Sequence, residues 1–271
     1  MLTIGVLFKL YIKDKEKILD ALMEMGVRSE EIQINKLEST AQYSKIDFIL
    51  CFGGDGTILR SLEYSIAYNA PVLGVNLGKL GFLSDTSLKE LKQSIQFLIN
   101  KKYCLESRML LDVHVIREKK EIFRGLALNE AVLFKACNSK LINIKLYSNR
   151  HFVYETRSDG IVISTPTGST AYSMSAGGPI ISPAMQAIVA TPLNPHILTI
   201  RPIIFAENDV LCLESPIEQQ MYLQTDGKSR CELHKSDKII IKKASQTIKF
   251  VKLTQKTFYR ILRKKLQMGK I

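Results

Sequence analysis

The sequence predicts an α/β N-terminal domain with a parallel sheet, followed by a mainly β, sandwich-like C-terminal domain and a final helix. Three observations support this fold class. Strand-like and helix-like patterns alternate over roughly the first hundred residues, short β-prone segments dominate afterwards, and apolar residues recur at helical spacing near the end. The predicted domains are residues 1–103, residues 104–252 and a C-terminal helix in residues 253–271 that packs back on the N-terminal domain.

The N-terminal domain is predicted from the alternation of two periodicities. The apolar run LTIGVLF indicates a buried strand, and DKEKILDALMEMG then places Ile18, Leu22 and Met25 at helical spacing before a stop at Gly26. The same order returns in IDFILCF with TILRSLEYSIAYN, and again in PVLGVN with SLKELKQSIQFLINKKY. Strands that alternate with helices in this way are typical of a parallel sheet with crossover helices.

The C-terminal domain is predicted from a change of pattern after residue 103. Turn-sized breaks separate short β-prone segments such as LLDVHVIRE, LINIKLYS and HFVYETRS, and the later segments IVIST, DVLCLES and TIKFVKL continue the trend. The closing segment TFYRILRKKL differs, because it places Phe258, Ile261 and Leu262 at helical spacing. It predicts a final helix whose apolar face packs against the core.

Composition and charge exclude several classes of protein. A hydrophobic fraction of 46% with 24% charged residues indicates an ordinary globular chain rather than a disordered one. No run approaches the roughly 18 apolar residues that span a bilayer, so no membrane association is predicted. Five cysteines without a CxxC pair favour a reducing, cytoplasmic location. The net charge of +12 comes from scattered residues without interleaved aromatics, so no nucleic acid partner is predicted.

The stretch CFGGDGTILR contains the first chemically informative motif. An apolar strand runs directly into Gly53 and Gly54, and a helix is predicted to begin at or just after Thr57. Glycines let a ligand approach the backbone, and exposed N–H groups at such a turn suit a phosphate. Asp55 would repel that phosphate unless it holds a metal ion or accepts a proton from an attacking hydroxyl. The stretch has neither the GK[ST] ending of a P-loop nor the GxGxxG of a dinucleotide fold.

The GGDGT motif resembles that of a superfamily of ATP-using kinases, which includes NAD kinases, diacylglycerol-type lipid kinases and phosphofructokinases. Further segments follow it in order: GVNLGKLGFLSD, ESRMLL, ALNEAVL, SDGIVISTPTGSTAYSMSAGGPIISP and NPHILTIRPI. Together they resemble NAD kinases from the first strand to the C-terminal helix, and residues 159–183 are the most specific part. The resemblance implies transfer of the γ-phosphoryl group of ATP to the 2′-hydroxyl of the adenosine ribose of NAD, which gives NADP.

Two other functions are alternatives to NAD phosphorylation, one of them a different kinase activity and the other nucleotide binding without catalysis. A kinase of the same superfamily that acts on a lipid or sugar phosphate would share the GGDGT motif but would leave residues 159–183 unexplained. A nucleotide-binding protein without turnover would have no need of the carboxylate that Asp55 supplies. Inorganic polyphosphate as donor, and NADH as a second acceptor, both stay open at this stage.

The resemblance also implies roles for individual residues. Asp55 is the catalytic candidate that accepts or orients the hydroxyl proton, and Mg²⁺ is expected to arrive with ATP, with no metal tightly held by the protein. The candidates for phosphate or nucleotide binding are Gly53, Gly54, Thr57 and Arg157. The candidates for NAD binding are Gly56, Phe82, Asn129, Glu130, Asp159, Thr170, Ala171, Tyr172 and Ser175.

The chemistry of these side chains suits the implied roles. Asn129 and Glu130 offer amide donors, a carbonyl acceptor and a carboxylate for adenine and the ribose hydroxyls. Tyr172 can stack on a ring, beside which the small Ala171 leaves space. The resemblance assigns Asp159 to the ribose and nicotinamide side, and the aromatic residue of LGFL to an apolar wall beside the adenine. It also implies a homo-oligomer, expected to be a tetramer built from dimers.

Overall fold

The computed structural model describes residues 2–9, 12, 15–32, 45–78, 81–137, 139–253 and 257–269. The chain divides into two compact units, which are residues 1–107 together with 247–271, and residues 108–246. The predicted segments include some residues that lie outside the described ones, namely Asp14, which opens the first predicted helix, Lys79 and Leu80 of the glycine-rich segment, and residues 254–256, 270 and 271 of the C-terminal segment.

The elements of the described residues are numbered in chain order. The helices are α1 (Lys15–Glu24), α2 (Asp55–Arg60), α3 (Leu62–Tyr68), α4 (Leu91–Ile99), α5 (Tyr172–Ser175) and α6 (Phe258–Leu266). The strands are β1 (Thr3–Phe8), β2 (Arg28–Glu31), β3 (Phe48–Phe52), β4 (Val72–Asn76), β5 (Ser84–Ser87), β6 (Cys104–Arg117), β7 (Lys120–Ala127), β8 (Glu130–Lys135), β9 (Ile142–Ser148), β10 (His151–Ser158), β11 (Gly160–Ser164), β12 (Ala187–Leu193), β13 (Ile203–Ala206), β14 (Leu211–Glu214), β15 (Met221–Thr225), β16 (Ser229–Leu233) and β17 (Lys238–Lys252). None of these described helices combines the length and the apolar character needed to span a bilayer.

The first unit is built on a parallel sheet with the strand order β2-β1-β3-β4. Strand β5 pairs with β4 in parallel. Phe250, near the end of β17, pairs with Val72 of β4, and this pairing is also parallel. Every residue of β3 is buried, as expected for a parallel strand that is covered on both faces. The predicted α/β domain with a parallel sheet is therefore confirmed.

Helices α1 and α4 bury their apolar faces against this sheet. Ile18 and Leu22 of α1, and Ile95 and Leu98 of α4, belong to one apolar cluster with residues of β1, β3 and β4. Gly26 adopts a φ of 71° just beyond α1, which glycine does without strain. The predicted stop of the first helix is thus explained by its backbone geometry.

The helix after the GGDGT turn begins earlier than predicted, and it is interrupted. The N–H groups of Thr57 and Ile58 both donate to the Gly54 carbonyl, at 2.9 and 3.2 Å, so Asp55 already lies in the first turn of α2. Ser61 separates α2 from α3, and its hydroxyl donates to the Ile58 carbonyl at 2.6 Å. Because a side-chain bond of this kind competes with the helical ladder, a continuous helical pattern in the sequence does not reveal the break.

The second unit is a mainly antiparallel β structure. One sheet has the order β13-β12-β11-β8-β15-β16, and a second group of strands has the order β10-β9-β14-β17, with β6 and β7 forming a hairpin. Inward-facing side chains of both groups, among them Leu133, Ile161, Leu146 and Leu213, form one buried apolar cluster. The predicted mainly β, sandwich-like domain is confirmed.

The closing segment forms the predicted helix α6 within the first unit. The Oγ1 atom of Thr257 caps the helix by accepting the N–H of Arg260 at 3.3 Å. Ile261 and Leu262 are buried, and the basic side chains of the last turn lie where the helix dipole favours cations. Burial of two large apolar side chains, worth roughly 1.5–3 kcal/mol each when complete, anchors α6.

Candidate functional site

The GGDGT segment, which contains the turn after β3 and the first turn of α2, is open at two of its glycines. A Cβ atom on Gly53 would lie 2.3 Å from the Oγ1 atom of Thr57, so packing inside the turn already requires this glycine. A Cβ atom on Gly54 or Gly56 would meet no atom of the described residues within 4 Å. A ligand that approached this turn would therefore contact the backbone at Gly54 and Gly56.

Asp55 is fixed by the loop that follows β4. Its carboxylate accepts the backbone N–H groups of Phe82 at 2.9 Å and Leu83 at 3.1 Å. A Cβ atom on Gly81 would lie 2.1 Å from the Oδ1 atom of Asp55, so only glycine allows this close approach. The Asp55 side chain is nevertheless 29% exposed. The carboxylate is thus oriented by two donors and still accessible to a third.

The ring of Phe82 lies against α6. It is 6.5 Å from the ring of Phe258, and the Nζ atom of Lys265 lies 4.7 Å from its centroid. The same Nζ atom lies 3.8 Å from the Oδ2 atom of Asp55. The sequence analysis did not single out Lys265, because it is far from Asp55 along the chain and lies in a run of basic residues.

In the second unit, Asn129 and Glu130 are held by a carboxylate that the sequence analysis missed. Asp226 accepts the N–H groups of Leu128, Asn129 and Glu130 at 2.7, 2.8 and 3.1 Å. Asp226 and Gly227 have φ angles of 46° and 70°, which form the tight turn between β15 and β16. The Asp-Gly pair between two β-prone segments is a hairpin signal, but it does not indicate which backbone the carboxylate contacts.

A second turn packs on the same segment. The N–H of Thr165 donates to the Asn129 carbonyl at 2.9 Å, and the Thr165 hydroxyl donates to the Leu128 carbonyl at 2.5 Å. A Cβ atom on Gly168 would lie 2.1 Å from the Asn129 carbonyl oxygen, so glycine is required there. The predicted site residues that follow this turn, all at least partly exposed, are Thr170, Ala171, Tyr172 and Ser175.

Glu130 is a buried carboxyl group with an unsatisfied oxygen. The residue is 8% exposed, and its Oε2 atom has no hydrogen-bond partner among the described residues. Burial and the neighbouring Asp226 raise the pKa of Glu130 to about 8, against the effect of the Tyr172 backbone N–H. Tyr172 is 47% exposed. An unsatisfied buried carboxyl group whose backbone donor belongs to an exposed tyrosine suits a ligand that carries both a flat ring and hydroxyl groups.

The raised pKa makes the stability of the protein depend on pH. Between pH 4.5 and about 8, folded Glu130 keeps a proton that the unfolded chain has lost, so its contribution is complete below pH 4.5 and disappears as the pH rises to about 8. Through this group, the free energy of unfolding changes by at most about 1.4 kcal/mol per pH unit. Glu130→Gln does not titrate, so the variant should gain stability relative to the parent between pH 5 and pH 8. Denaturant unfolding of the parent and of Glu130→Gln at pH 5 and pH 8 measures this gain. An equal difference in the free energy of unfolding at the two pH values would contradict the prediction.

Asp159 immediately precedes β11, at the end of that strand opposite to Ser164, and Arg157 lies near the end of β10. Ser164 at the end of β11 pairs directly with Glu130, and Asp159 precedes Ser164 by five residues, or about 17 Å of extended strand. The Asp159 carboxylate lies 3.4 Å from the Nζ atom of Lys135, and the Arg157 side chain is exposed. The structure therefore does not bring Asp159 next to Glu130 within this unit.

Comparison with known proteins identifies both halves of the chain. Residues 8–103 match the family described as the ATP-NAD kinase N-terminal domain, and residues 128–253 match the ATP-NAD kinase C-terminal domain. An NAD kinase of Caldanaerobacter subterraneus subsp. tengcongensis is 39% identical over 225 residues, which are 83% of this chain and 80% of that protein. An NAD kinase of Nitrosomonas europaea is 33% identical over 249 residues, which are 92% of this chain and 83% of that protein.

Solved structures show the same similarity in three dimensions. The crystal structure of yeast NADH kinase complexed with NADH superposes with a TM-score of 0.86 at 25% identity, covering 100% of this chain and 89% of that chain. The structure of an NAD kinase from Archaeoglobus fulgidus in complex with ATP superposes with a TM-score of 0.78, also at 25% identity, covering 99% of this chain and 100% of that chain.

Proposed function

Because the chain belongs to the NAD kinase family, we propose that Asp55 activates the 2′-hydroxyl of the adenosine ribose of NAD for attack on the γ-phosphorus of ATP. The predicted activity, phosphorylation of NAD by ATP to give NADP, agrees with the relatives, which are NAD kinases. The observation that supports the residue assignment is the geometry of Asp55. Two backbone donors orient the carboxylate, and 29% of the side chain remains exposed.

Phosphoryl transfer needs alignment and charge neutralisation more than covalent help from the protein. The bonds from Phe82 and Leu83 restrict the Asp55 carboxylate to one orientation, so a hydroxyl within reach would be held in line with the donor. We assign the donor phosphates to the open side of the turn at Gly54, with Thr57 and Gly53 shaping it, and Gly56 keeps its assignment to NAD. Arg157 is assigned to a phosphate because its guanidinium is exposed.

A divalent cation is expected to accompany ATP. The described residues contain no group of three or more His, Cys, Asp or Glu side chains that could hold a metal ion. Mg²⁺ binds phosphate oxygens readily and keeps several waters, so a site with few protein ligands fits this ion. When bound, the ion would neutralise negative charge on the phosphates. Addition of EDTA in excess of the metal is expected to abolish NADP formation.

The adenosine end of NAD is assigned to the second unit. Asn129 and Glu130 provide the polar groups, and the exposed ring of Tyr172 provides a stacking surface beside Ala171. Thr170 and Ser175, which are at least partly exposed in the same segment of the second unit, are assigned to NAD as well. Phe82 of the first unit is half-buried and keeps its predicted role as an apolar wall. The unsatisfied oxygen of Glu130 supports this assignment, because a ribose hydroxyl would satisfy it.

Asn129 and Asp159 are expected to differ in which ligands they bind. Asn129→Ala should weaken binding of both adenosine and NAD, and should raise KM for NAD more than it lowers kcat. Asp159→Ala should weaken NAD but leave adenosine nearly unaffected, because Asp159 lies about 17 Å from the Glu130 end of the strand pair. Calorimetric titration of each variant with both ligands measures the difference. Equal losses for the two ligands in Asp159→Ala would remove Asp159 from the nicotinamide side.

The assembly is proposed to be a homo-oligomer, a tetramer built from dimers, located in the cytoplasm. The resemblance to the family, which implies a homo-oligomer, supports the proposed assembly. The odd number of cysteines supports a reducing compartment. Size-exclusion chromatography with light scattering tests the assembly, and a monomer at assay concentration would contradict it.

The direct test of the function is incubation with NAD, ATP and Mg²⁺, with NADP detected by a dehydrogenase that accepts only NADP. NADH replaces NAD in a parallel reaction, because one structural relative is an NADH kinase. Formation of NADP that depends on both ATP and NAD is the expected result. Binding of both ligands without any NADP would favour a nucleotide-binding protein without turnover.

A further inference from the structure

The C-terminal helix places one cation directly on the carboxylate that is assigned to catalysis. The Nζ atom of Lys265 lies 3.8 Å from the Oδ2 atom of Asp55 and 4.7 Å from the centroid of the Phe82 ring. Two different attractions, an ion pair and a cation–π contact, therefore hold the ammonium group in one place. Phe82 is also the residue whose N–H donates to Asp55, so the three groups form a single cluster.

The position of Lys265 is determined by buried residues of α6. Ile261 is buried one helical turn before Lys265, and Leu262 is buried three residues before it, so both lie on the side of the helix that Lys265 extends. The neighbouring Lys264 is exposed and forms no ion pair with the described residues. Helix α6 thus directs Lys265 to Asp55 and leaves the adjacent Lys264 in solvent.

Stability does not explain this contact well. An exposed ion pair contributes little to stability, and the Lys265 side chain is 31% exposed. The Asp55 carboxylate already accepts two backbone N–H groups, so it does not need a lysine to satisfy its hydrogen bonds. Binding of a phosphorylated donor gives the lysine a role. The Asp55 carboxylate would repel the polyanionic donor unless a cation lay between them.

We propose that Lys265 is a donor-binding residue, which contacts the phosphoryl group of ATP that is transferred. The proposal rests on the proposed function. A hydroxyl bound to Asp55 lies about 3 Å from the carboxylate, and the phosphorus lies about 3–3.5 Å beyond it. Lys265 is 3.8 Å from the same carboxylate, and its flexible four-carbon stem allows the ammonium group to reach the phosphoryl oxygens.

Phosphoryl transfer to the ribose hydroxyl needs no reactant besides ATP and NAD. The bond between the γ-phosphorus and the bridging oxygen of ADP breaks as the bond to the ribose oxygen forms, and the hydroxyl proton passes to Asp55. Lys265 keeps its protons and donates hydrogen bonds to the phosphoryl oxygens. Its charge offsets the repulsion between Asp55 and the phosphates, both before and during transfer.

Lys265→Met tests the proposal, because methionine keeps an unbranched side chain of similar reach and removes the charge. We expect KM for ATP to rise and kcat to fall, each by about 10-fold, the lower end of the effect of losing a charge-assisted hydrogen bond. The affinity for NAD and the melting temperature should stay at parental values. Lys264→Met on the same helix is the matched control and should resemble the parent, and Lys265→Arg should recover most of the loss.

Three outcomes would overturn the proposal. The first is a Lys265→Met enzyme with parental kinetics towards ATP. The second is an equal loss in Lys264→Met, which would indicate a general effect of helix charge. The third is a lower melting temperature with equal losses for ATP and NAD, which would indicate a structural role. Calorimetry with ATP and Mg²⁺ alone separates this proposal from the kinase assignment, since weaker ATP binding in Lys265→Met supports the contact even if the parent forms no NADP.

Discussion

Replacement of Asp55 by asparagine is expected to lower kcat by about 100-fold or more, while the affinity for NAD changes far less. Asparagine keeps the size of the side chain but removes its charge and nearly all its basicity. A group that accepts or orients the hydroxyl proton acts mainly in the transition state, so its loss appears in kcat rather than in binding. The assay couples NADP to an NADP-specific dehydrogenase, and calorimetry measures NAD binding separately.

The control for this variant is a change in the same loop that leaves the carboxylate intact. An asparagine at position 55 can accept only one of the two backbone N–H bonds well, so the loop could loosen. The hydroxyl of Ser84 accepts the N–H of Gly81 at 3.1 Å, and Ser84→Ala removes a bond of the loop without touching Asp55. A similar fall in kcat for both variants would attribute the effect to loop geometry, and near-parental turnover of Asp55→Asn would show that Asp55 is no base.

The fold was predictable wherever periodicity and burial act together. Strand β3 is a continuous apolar run because both of its faces are covered, and α1 shows apolar residues at helical spacing because one face is buried. The break at Ser61 was not predictable, because it depends on which carbonyl a single hydroxyl contacts. Local composition therefore indicates the type of an element more reliably than its continuity.

The candidate site was predictable to the extent that its groups lie within short motifs. Asp55 stands out between glycines, whereas the donors that orient it come from Phe82 and Leu83, and the cation beside it comes from α6. These contacts depend on tertiary structure, and no spacing in the sequence encodes them. The contact between Asp226 and the Asn129 backbone was not predictable either, since the sequence indicates Asp226 only as part of an Asp-Gly turn.

Asp226 organises the segment that is assigned to adenosine. Its Oδ1 atom accepts the N–H groups of Asn129 and Glu130, and its Oδ2 atom accepts that of Leu128. Burial raises the pKa of Asp226, and the three N–H donors act in the opposite direction. Glu130 receives only one such donor, so the proton of this pair of carboxyl groups belongs on Glu130.

Asp226→Asn is therefore expected to damage both stability and NAD binding. The amide can present its oxygen to only one side, so its NH₂ group must face at least one of the backbone N–H donors. An unsatisfied buried donor costs about 1–3 kcal/mol, and displacement of Asn129 and Glu130 should raise KM for NAD by about 10-fold or more. Thermal unfolding and steady-state kinetics measure the two effects.

Asp237→Asn is the matched control, because it perturbs a buried aspartate of the same unit in the same way. Asp237 is 1% exposed and accepts hydrogen bonds from the Arg117 guanidinium and from the His234 N–H, each at 2.8 Å. Its replacement should lower stability by a similar amount but leave KM for NAD at the parental value, since none of its partners is a predicted site residue. A rise in KM that is equal in the two variants would reflect general loosening of the unit. A rise confined to Asp226→Asn would show that this carboxylate shapes the site by holding the backbone beneath it.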